Sequence, residues 1–257
     1  MRLSLVVRSA AWGAFFFLGV SVGGGVESYA QAEGPPDSRI AEAETRFCAD
    51  PPGTSADLRG LALVYCDAPS GLARSLRGAH ATAYPVFYGA APAAWMGAGL
   101  TGSVSVGAAA YRLTVAQGLT YGLVVGAKHA VGRPRPYVNR PLEARSDRHR
   151  PPHHPGDAHR SFPSGHAGVS AALVASWSAS YPRWYVIGPG VLWAAGVAAS
   201  RVYLGVHYPS DVVVGAVLGM GVALLVHQLR TLVTPSLLHN ASSQGLQGPP
   251  IGFRIRF

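Results

Sequence analysis

Apolar positions in this chain come in long runs separated by short polar interruptions. From Gly78 to Tyr111 there is no Asp, Glu, Lys or Arg, and Gly99 to Ser103 divides the stretch in two. Two apolar helices are predicted there, at about 80–98 and 103–127. Arg112 falls inside the second, where a membrane-embedded arginine must snorkel or face a bundle interior. Residues 128–162 are rich in Pro, Arg and His and too broken by proline for regular structure. Three further apolar helices follow at 165–181, 184–200 and 211–229, each about 17 to 19 residues long. That length is at the short end of what spans a bilayer and also suits buried helices of a soluble bundle. Gly215 and Gly219, like Gly122 and Gly126, form small-xxx-small faces that let helices approach closely, a pattern that favours membrane packing. The expected class is all-α, a helical bundle with about five transmembrane helices.

The two ends read differently. MRLSLVVR, AAWGAFFFLGVSVGGGV and ESYAQA give a basic start, an apolar middle and small residues at Ala30 and Ala32, the three-part pattern of a secretory signal over residues 1–32. An uncleaved first membrane helix is the competing reading. Residues 33–79 are polar and punctuated by prolines, an exported lead segment with short helical pieces. Cys48 and Cys66 are the only cysteines and lie in this segment, so in an oxidising compartment they pair as a disulfide. The apolar core is placed at about 80–229 and a C-terminal tail at 230–257.

Charge adds a partner class. The formal net charge of +9 is either a generic solvated basic surface or the mark of an anionic partner: nucleic acid, an acidic membrane surface or a phosphorylated substrate. Eight of the 21 cations fall between Lys128 and Arg160, and Lys128 is the only lysine, which suggests a site needing a compact ammonium. After Asp157 the chain has no carboxylate other than Asp211, and between Arg183 and Arg230 its only arginine is Arg201.

These sparse polar residues form three islands at helix edges. The first runs from Lys128 to Arg135-Pro136, the second is Pro163-Ser164-Gly165-His166, and the third is Ser200-Arg201 followed by His207 and Asp211. Lys128, Arg135 and Arg201 suit a multiply charged oxyanion. Ser164 and Gly165 open a helix, where backbone N–H groups and the dipole favour an anion. In phosphoryl transfer one histidine serves as nucleophile and another protonates the leaving oxygen. His207 and Asp211, four apart, would share a helical face, so that the carboxylate holds the ring and its tautomer. This assigns His207 as nucleophile and His166 as acid.

In order and spacing the islands read K-x6-R-P, P-S-G-H and S-R-x5-H-x3-D, and over about residues 80–229 the chain resembles the type 2 phosphatidic acid phosphatase superfamily. That family includes bacterial class A acid phosphatases and vanadium haloperoxidases. Arg133-Pro134-Arg135-Pro136 offers two registers, and the six-residue spacing selects Arg135. The resemblance implies a helical core whose islands converge on one phosphate, with no metal or cofactor required. His207, oriented by Asp211, would form a phosphohistidine. Lys128, Arg135, Arg201, Ser164 and the Gly165 N–H would bind phosphate oxygens, and His166 would protonate the leaving alkoxide and then activate water.

Other readings stay open at this level. His149, His153, His154 and His159 could ligate a metal, and the clustered arginines could hold nucleic acid, although export removes nucleic acid and the prolines favour a solvated linker. Within the family the charge-free runs favour an integral membrane lipid phosphatase over a soluble exported acid phosphatase, while a haloperoxidase would need a longer chain. The substrate could be phosphatidate, phosphatidylglycerophosphate, an isoprenyl phosphate or diphosphate, or a lipid A phosphate. Five spans after an exported residue 33 would put all three islands on the outer, periplasmic face of the inner membrane.

Overall fold

The computed structural model describes residues 38–49, 55–140, 142–146 and 157–238. The leader expected at 1–32, and His149, His153 and His154, lie outside the described residues. In chain order the helices are α1 (Ser38–Ala49), α2 (Ala56–Tyr65), α3 (Ser70–Thr101), α4 (Val104–Val131), α5 (Pro136–Asn139), α6 (Gly165–Ser180), α7 (Trp184–Tyr203), α8 (Pro209–Gln228) and α9 (Arg230–Val233), followed by a 3-10 turn at Ser236–Leu238. Among the described residues all regular structure is helical.

Central in the bundle is α6, which contacts α3, α4, α7 and α8. Its inward residues are small: Ala167, Gly168, Ser170 and Ala172 are all buried. Opposite them on α8 stand the glycines that the sequence singled out. A methyl group on Gly215 would lie 2.4 Å from the Ser164 carbonyl oxygen, and one on Gly219 would lie 1.9 Å from that of Gly168. Only hydrogen fits at either position, and the two backbones meet directly. The matching pair on α4 behaves otherwise, because a methyl group on Gly122 or Gly126 would meet nothing within 4 Å. The close approach expected there does not occur.

Several boundaries also differ from expectation. The first apolar helix begins at Ser70 instead of 80, because Leu76 is buried beside Tyr203, Leu204 and Val206 and that contact extends the helix. Likewise α4 continues past 127 to Val131 and stops at Gly132, whose φ of 61° is a left-handed cap. The connection after it is less irregular than its prolines suggest: Pro136, at a first helical position that needs no N–H, starts α5. Arg112 reaches the end of α6, donating to Ser180 Oγ at 3.5 Å.

The lead segment packs on the bundle. Cys48 and Cys66 form the disulfide implied by the sequence, with Cα atoms 5.6 Å apart, tying α1 to the end of α2. Phe47, Leu58, Leu61 and Tyr65 are buried against Val202, Tyr208 and Val212. On the outside of the bundle, large apolar side chains are exposed, among them Leu100 on α3, Leu119 on α4, Leu192 on α7 and Leu225 on α8. Among the described helices, α7 and α8 are long and apolar enough to cross a membrane. The other candidates fall short for identifiable reasons: α3 carries Pro85, Pro92 and several Gly and Tyr residues, α4 carries Arg112, Gln117, Lys128 and His129, and α6 has only 16 residues.

Candidate active site

The polar end of the bundle is assembled by two pairings across the Pro-rich connection. Arg135 N donates to Ala158 O at 2.9 Å and Ser161 N donates to Arg133 O at 2.9 Å, so the arginine motif lies alongside the approach to Ser164. Arg135 is only 3% exposed. Its guanidinium donates to the Asp157 carbonyl and carboxylate, both at 2.9 Å, to Val206 O at 2.9 Å and to His207 Nε2 at 3.1 Å. Arginine can only donate, so His207 Nε2 presents its lone pair and the ring proton sits on Nδ1.

On the Nδ1 side are Ser161 Oγ at 3.5 Å and Asp211 Oδ2 at 3.6 Å. The pairing has a different origin from the one expected. His207 precedes α8, so the two residues do not share a helical face; Asp211 sits in the first turn and turns back, accepting from Tyr208 N at 2.9 Å. Fully buried Asp211 also accepts from Ser161 Oγ at 2.5 Å and from Arg133 Nη1 at 2.6 Å. These bonds leave its position little freedom. Ser164 joins the same cluster, its N–H donating to Asp211 O at 2.9 Å while its Oγ caps α6 through Ala167 N at 3.5 Å.

Lys128 lies in the last turn of α4, and its ammonium donates to Arg160 O. Burial and the neighbouring Arg135 push its pKa down to about 8, and the charges of Asp157, Asp211 and Arg201 also act on it. At the end of α7, Arg201 is 1% exposed, with Nη1 donating to His80 Nδ1 at 2.9 Å. Beside that pair, His166 opens α6 with its ring edge-on to Tyr84 and Phe87 and 6.1 Å from His80. Arg135, His207, Asp211 and Ser164 therefore form one bonded cluster. Arg201 and His166 are connected through His80, and Gly165 stands between Ser164 and His166.

The stretch 109–234 matches the family model described as the PAP2 superfamily. The chain belongs to the PAP2 superfamily. It is similar to an undecaprenyl-diphosphatase of Sulfolobus acidocaldarius, 38% identical over 71 residues covering 28% of this chain and 34% of that protein. Similarity to a lipid A 1-phosphatase of Rhizobium johnstonii is 33% over 128 residues, covering 47% of this chain and 46% of that protein. A decaprenylphosphoryl-5-phosphoribose phosphatase of Mycobacterium tuberculosis is 44% identical over 68 residues, covering 26% of this chain and 35% of its own. The chain thus spans less than half the length of these curated relatives. In fold it resembles the crystal structure of Aquifex aeolicus LpxE, with a TM-score of 0.54 at 20% identity, covering 68% of this chain and 96% of that one.

Around the PAP2 islands stand residues that sequence reasoning passed over. Arg133, set aside by the spacing argument, is part of the cluster: both arginines of the RPRP repeat are engaged, one on each side of the His207–Asp211 pair. Its other nitrogen donates to Asp57 Oδ2 at 2.8 Å, on α2. Burial opposes ionisation of Asp57, yet bonds from Ser210 and Arg133 outweigh it and hold the carboxyl below the usual aspartate range. Ser161 and Asp157 flank the second island, and His80 is a polar intrusion in an otherwise apolar run. Only the repeated arginine left a readable signal. His159 is described, and among the described residues no group of three potential metal ligands occurs.

Proposed function

We propose that this chain is an exported membrane lipid phosphatase that hydrolyses a phosphate monoester or diphosphate through a phosphohistidine. His207 Nε2 attacks phosphorus as the bond from phosphorus to the lipid oxygen breaks, and His166 gives that oxygen a proton. Neutral His166 then takes a proton from water, whose oxygen attacks phosphorus and displaces His207. Lys128, Arg135 and Arg201, with Ser164 and the Gly165 N–H, hold the oxygens whose charge grows in the transition state. Asp211 keeps the proton on Nδ1 and stabilises the ring as it turns cationic.

The observation that carries the reading is the arrangement of His207 between Arg135 on Nε2 and Asp211 on Nδ1. It leaves the nucleophilic lone pair facing a cation that a phosphate would also seek. A lipid substrate is favoured by the named relatives, which act on phosphates of large lipids. It is also favoured by α7 and α8, since only 28% and 33% of their apolar windows are buried in the protein, unlike a soluble core helix. The remaining layout follows as part of the proposal: a cleaved leader, an exported lead segment, a core of about 80–229 and a site on the outer face.

The limited apolarity of α3 and α4 favours a second reading, a soluble exported acid phosphatase. One assay separates them. The full chain, purified in detergent, is offered phosphatidate, isoprenyl diphosphate, a lipid A phosphate and a water-soluble aryl phosphate, with His207→Asn as control. Preferential lipid turnover that His207→Asn abolishes is the expected result. Preference for the aryl phosphate, with the protein in the soluble fraction, supports the alternative, and undiminished turnover by His207→Asn refutes both.

A further inference from the structure

Beneath the proposed nucleophile lies a linkage that reaches out of the PAP2 region altogether. Arg133 Nη1 donates to Asp211 Oδ1 at 2.6 Å and to Ser210 Oγ at 2.8 Å, while Nη2 donates to Asp57 Oδ2 at 2.8 Å. Asp57 closes the ring by accepting from Ser210 N at 2.8 Å and Ser210 Oγ at 2.6 Å. A carboxylate from α2 therefore caps the N-terminus of α8 from outside, where free N–H groups and the helix dipole favour an anion. The guanidinium lies over the Tyr208 ring, 4.2 Å from its centre, so its plane and both its forks are fixed.

We propose that Asp57 is a positioning residue for the reaction: through Arg133 and Ser210 it sets the place of Asp211 and hence of His207. The lead segment is then a working part of the site and not only an exported prefix. The inference rests on the function proposed above.

The physics turns on how one cation is shared. Arg133 bridges two carboxylates, and each moderates its pull on the other. Without the Asp57 charge, the guanidinium is held from one side only and draws on Asp211 alone. Asp211 Oδ2 is already 3.6 Å from His207 Nδ1, so a small displacement loosens the ring. Asp57 itself is well anchored. Leu58, Leu61 and Tyr65 on the same helix are buried, a methyl group on Gly60 would lie 2.9 Å from Pro209 Cγ, and the disulfide holds the end of α2.

A merely structural ion pair would change how much protein is folded, without changing how the folded protein works. The test therefore measures kcat, KM and the affinity for vanadate, a mimic of pentacoordinate phosphorus, on the full chain. In Asp57→Asn, kcat is expected to fall about tenfold, because a reacting group must be held within about 0.5 Å of its productive place and Asp211 is what holds the ring. KM should stay within about twofold and vanadate should weaken by about the same factor as kcat, since both report the transition state. Arg133→Lys keeps the charge that docks α2, but a point donor cannot bridge both carboxylates, so it should show the same signature. The double variant should be no worse than Arg133→Lys alone, because both changes break one linkage.

Wild-type kcat and vanadate affinity in either variant would overturn the proposal, as would additive losses or a loss confined to the amount of active protein. Should wild-type protein bind vanadate yet turn over no lipid phosphate, the substrate assignment fails while the vanadate comparison still decides the role of Asp57. Absence of vanadate binding to the wild type would overturn both.

Discussion

Helices α4 and α8 invite comparison, because each carries two glycines four residues apart and each delivers a signature residue at one end. On α8 the glycines press against the α6 backbone, and the nearby Asp211 carbonyl takes the N–H of Ser164. On α4 the glycines face open space, and Lys128 reaches from the last turn to a loop carbonyl. The α8 end is thus fixed by backbone on backbone, whereas the α4 end packs on α6 through side chains, with Val124 against Gly165 and Gly168 and Lys128 on the loop carbonyl. The proposed nucleophile and orienter, His207 and Asp211, sit on the rigid side, where a displacement of a few tenths of an ångström matters. In the proposed mechanism the Lys128 ammonium, carried on a long side chain, follows the phosphate as its charge redistributes.

The largest test of this contrast is Gly219→Ala. A methyl group 1.9 Å from Gly168 O forces α6 and α8 apart. The cost is on the order of 4 kcal/mol, a large share of the stability of an ordinary domain. Thermal unfolding in detergent should show it as a melting temperature lowered by roughly 10 °C, and a melting curve like wild type would mean that the seam yields. Next is His207→Asn, expected to cut phosphate release by about a thousandfold, close to 4 kcal/mol in barrier, with the melting temperature unchanged.

At the adjustable end the effects are smaller. Lys128→Arg should lower turnover by about tenfold, because a planar fork cannot take the place of a point charge without shifting the phosphate. The same variant sharpens the comparison through pH. With its pKa pushed down to about 8, Lys128 is charged below that value and loses its proton above it, so kcat/KM should fall as pH rises through about 8. In Lys128→Arg that alkaline limb should vanish, since arginine stays charged. A limb that persists would assign the titration to another group. Smallest is Gly122→Ala, which meets nothing within 4 Å and should leave activity intact while shifting stability by less than about 1 kcal/mol, toward the more stable side. A large loss there would mean that α4 has a partner on that face.

Legibility follows the same division. Lys128, Arg135, Ser164, His166, Arg201, His207 and Asp211 could be read because charged residues are costly next to apolar helices, so those present stand out in order and spacing. The all-helical class was readable from run lengths for a similar reason, and the disulfide from having only two cysteines. The glycine pairs were equally visible, yet one pair makes a seam and the other does not. Spacing marks a capacity for close approach, and the neighbour decides its use.

Arg133 shows the limit most plainly. A spacing rule made it a choice between two arginines, whereas the fold engages both, on opposite sides of one histidine–aspartate pair. Asp57 had no signal at all, because its partners Arg133 and Ser210 are 76 and 153 residues away along the chain and no local pattern couples them.

By itself the sequence determined the helical class, the family and the residues able to do phosphate chemistry, since each rests on composition and short-range spacing. Only the tertiary structure decided which nitrogen of His207 holds its proton, that Asp211 turns back from a helix start instead of sharing a helical face, and that Asp57 of α2 bonds Arg133 and Ser210. Those outcomes depend on distances between chain segments set by packing, and a pattern of neighbours along the chain carries no information about them.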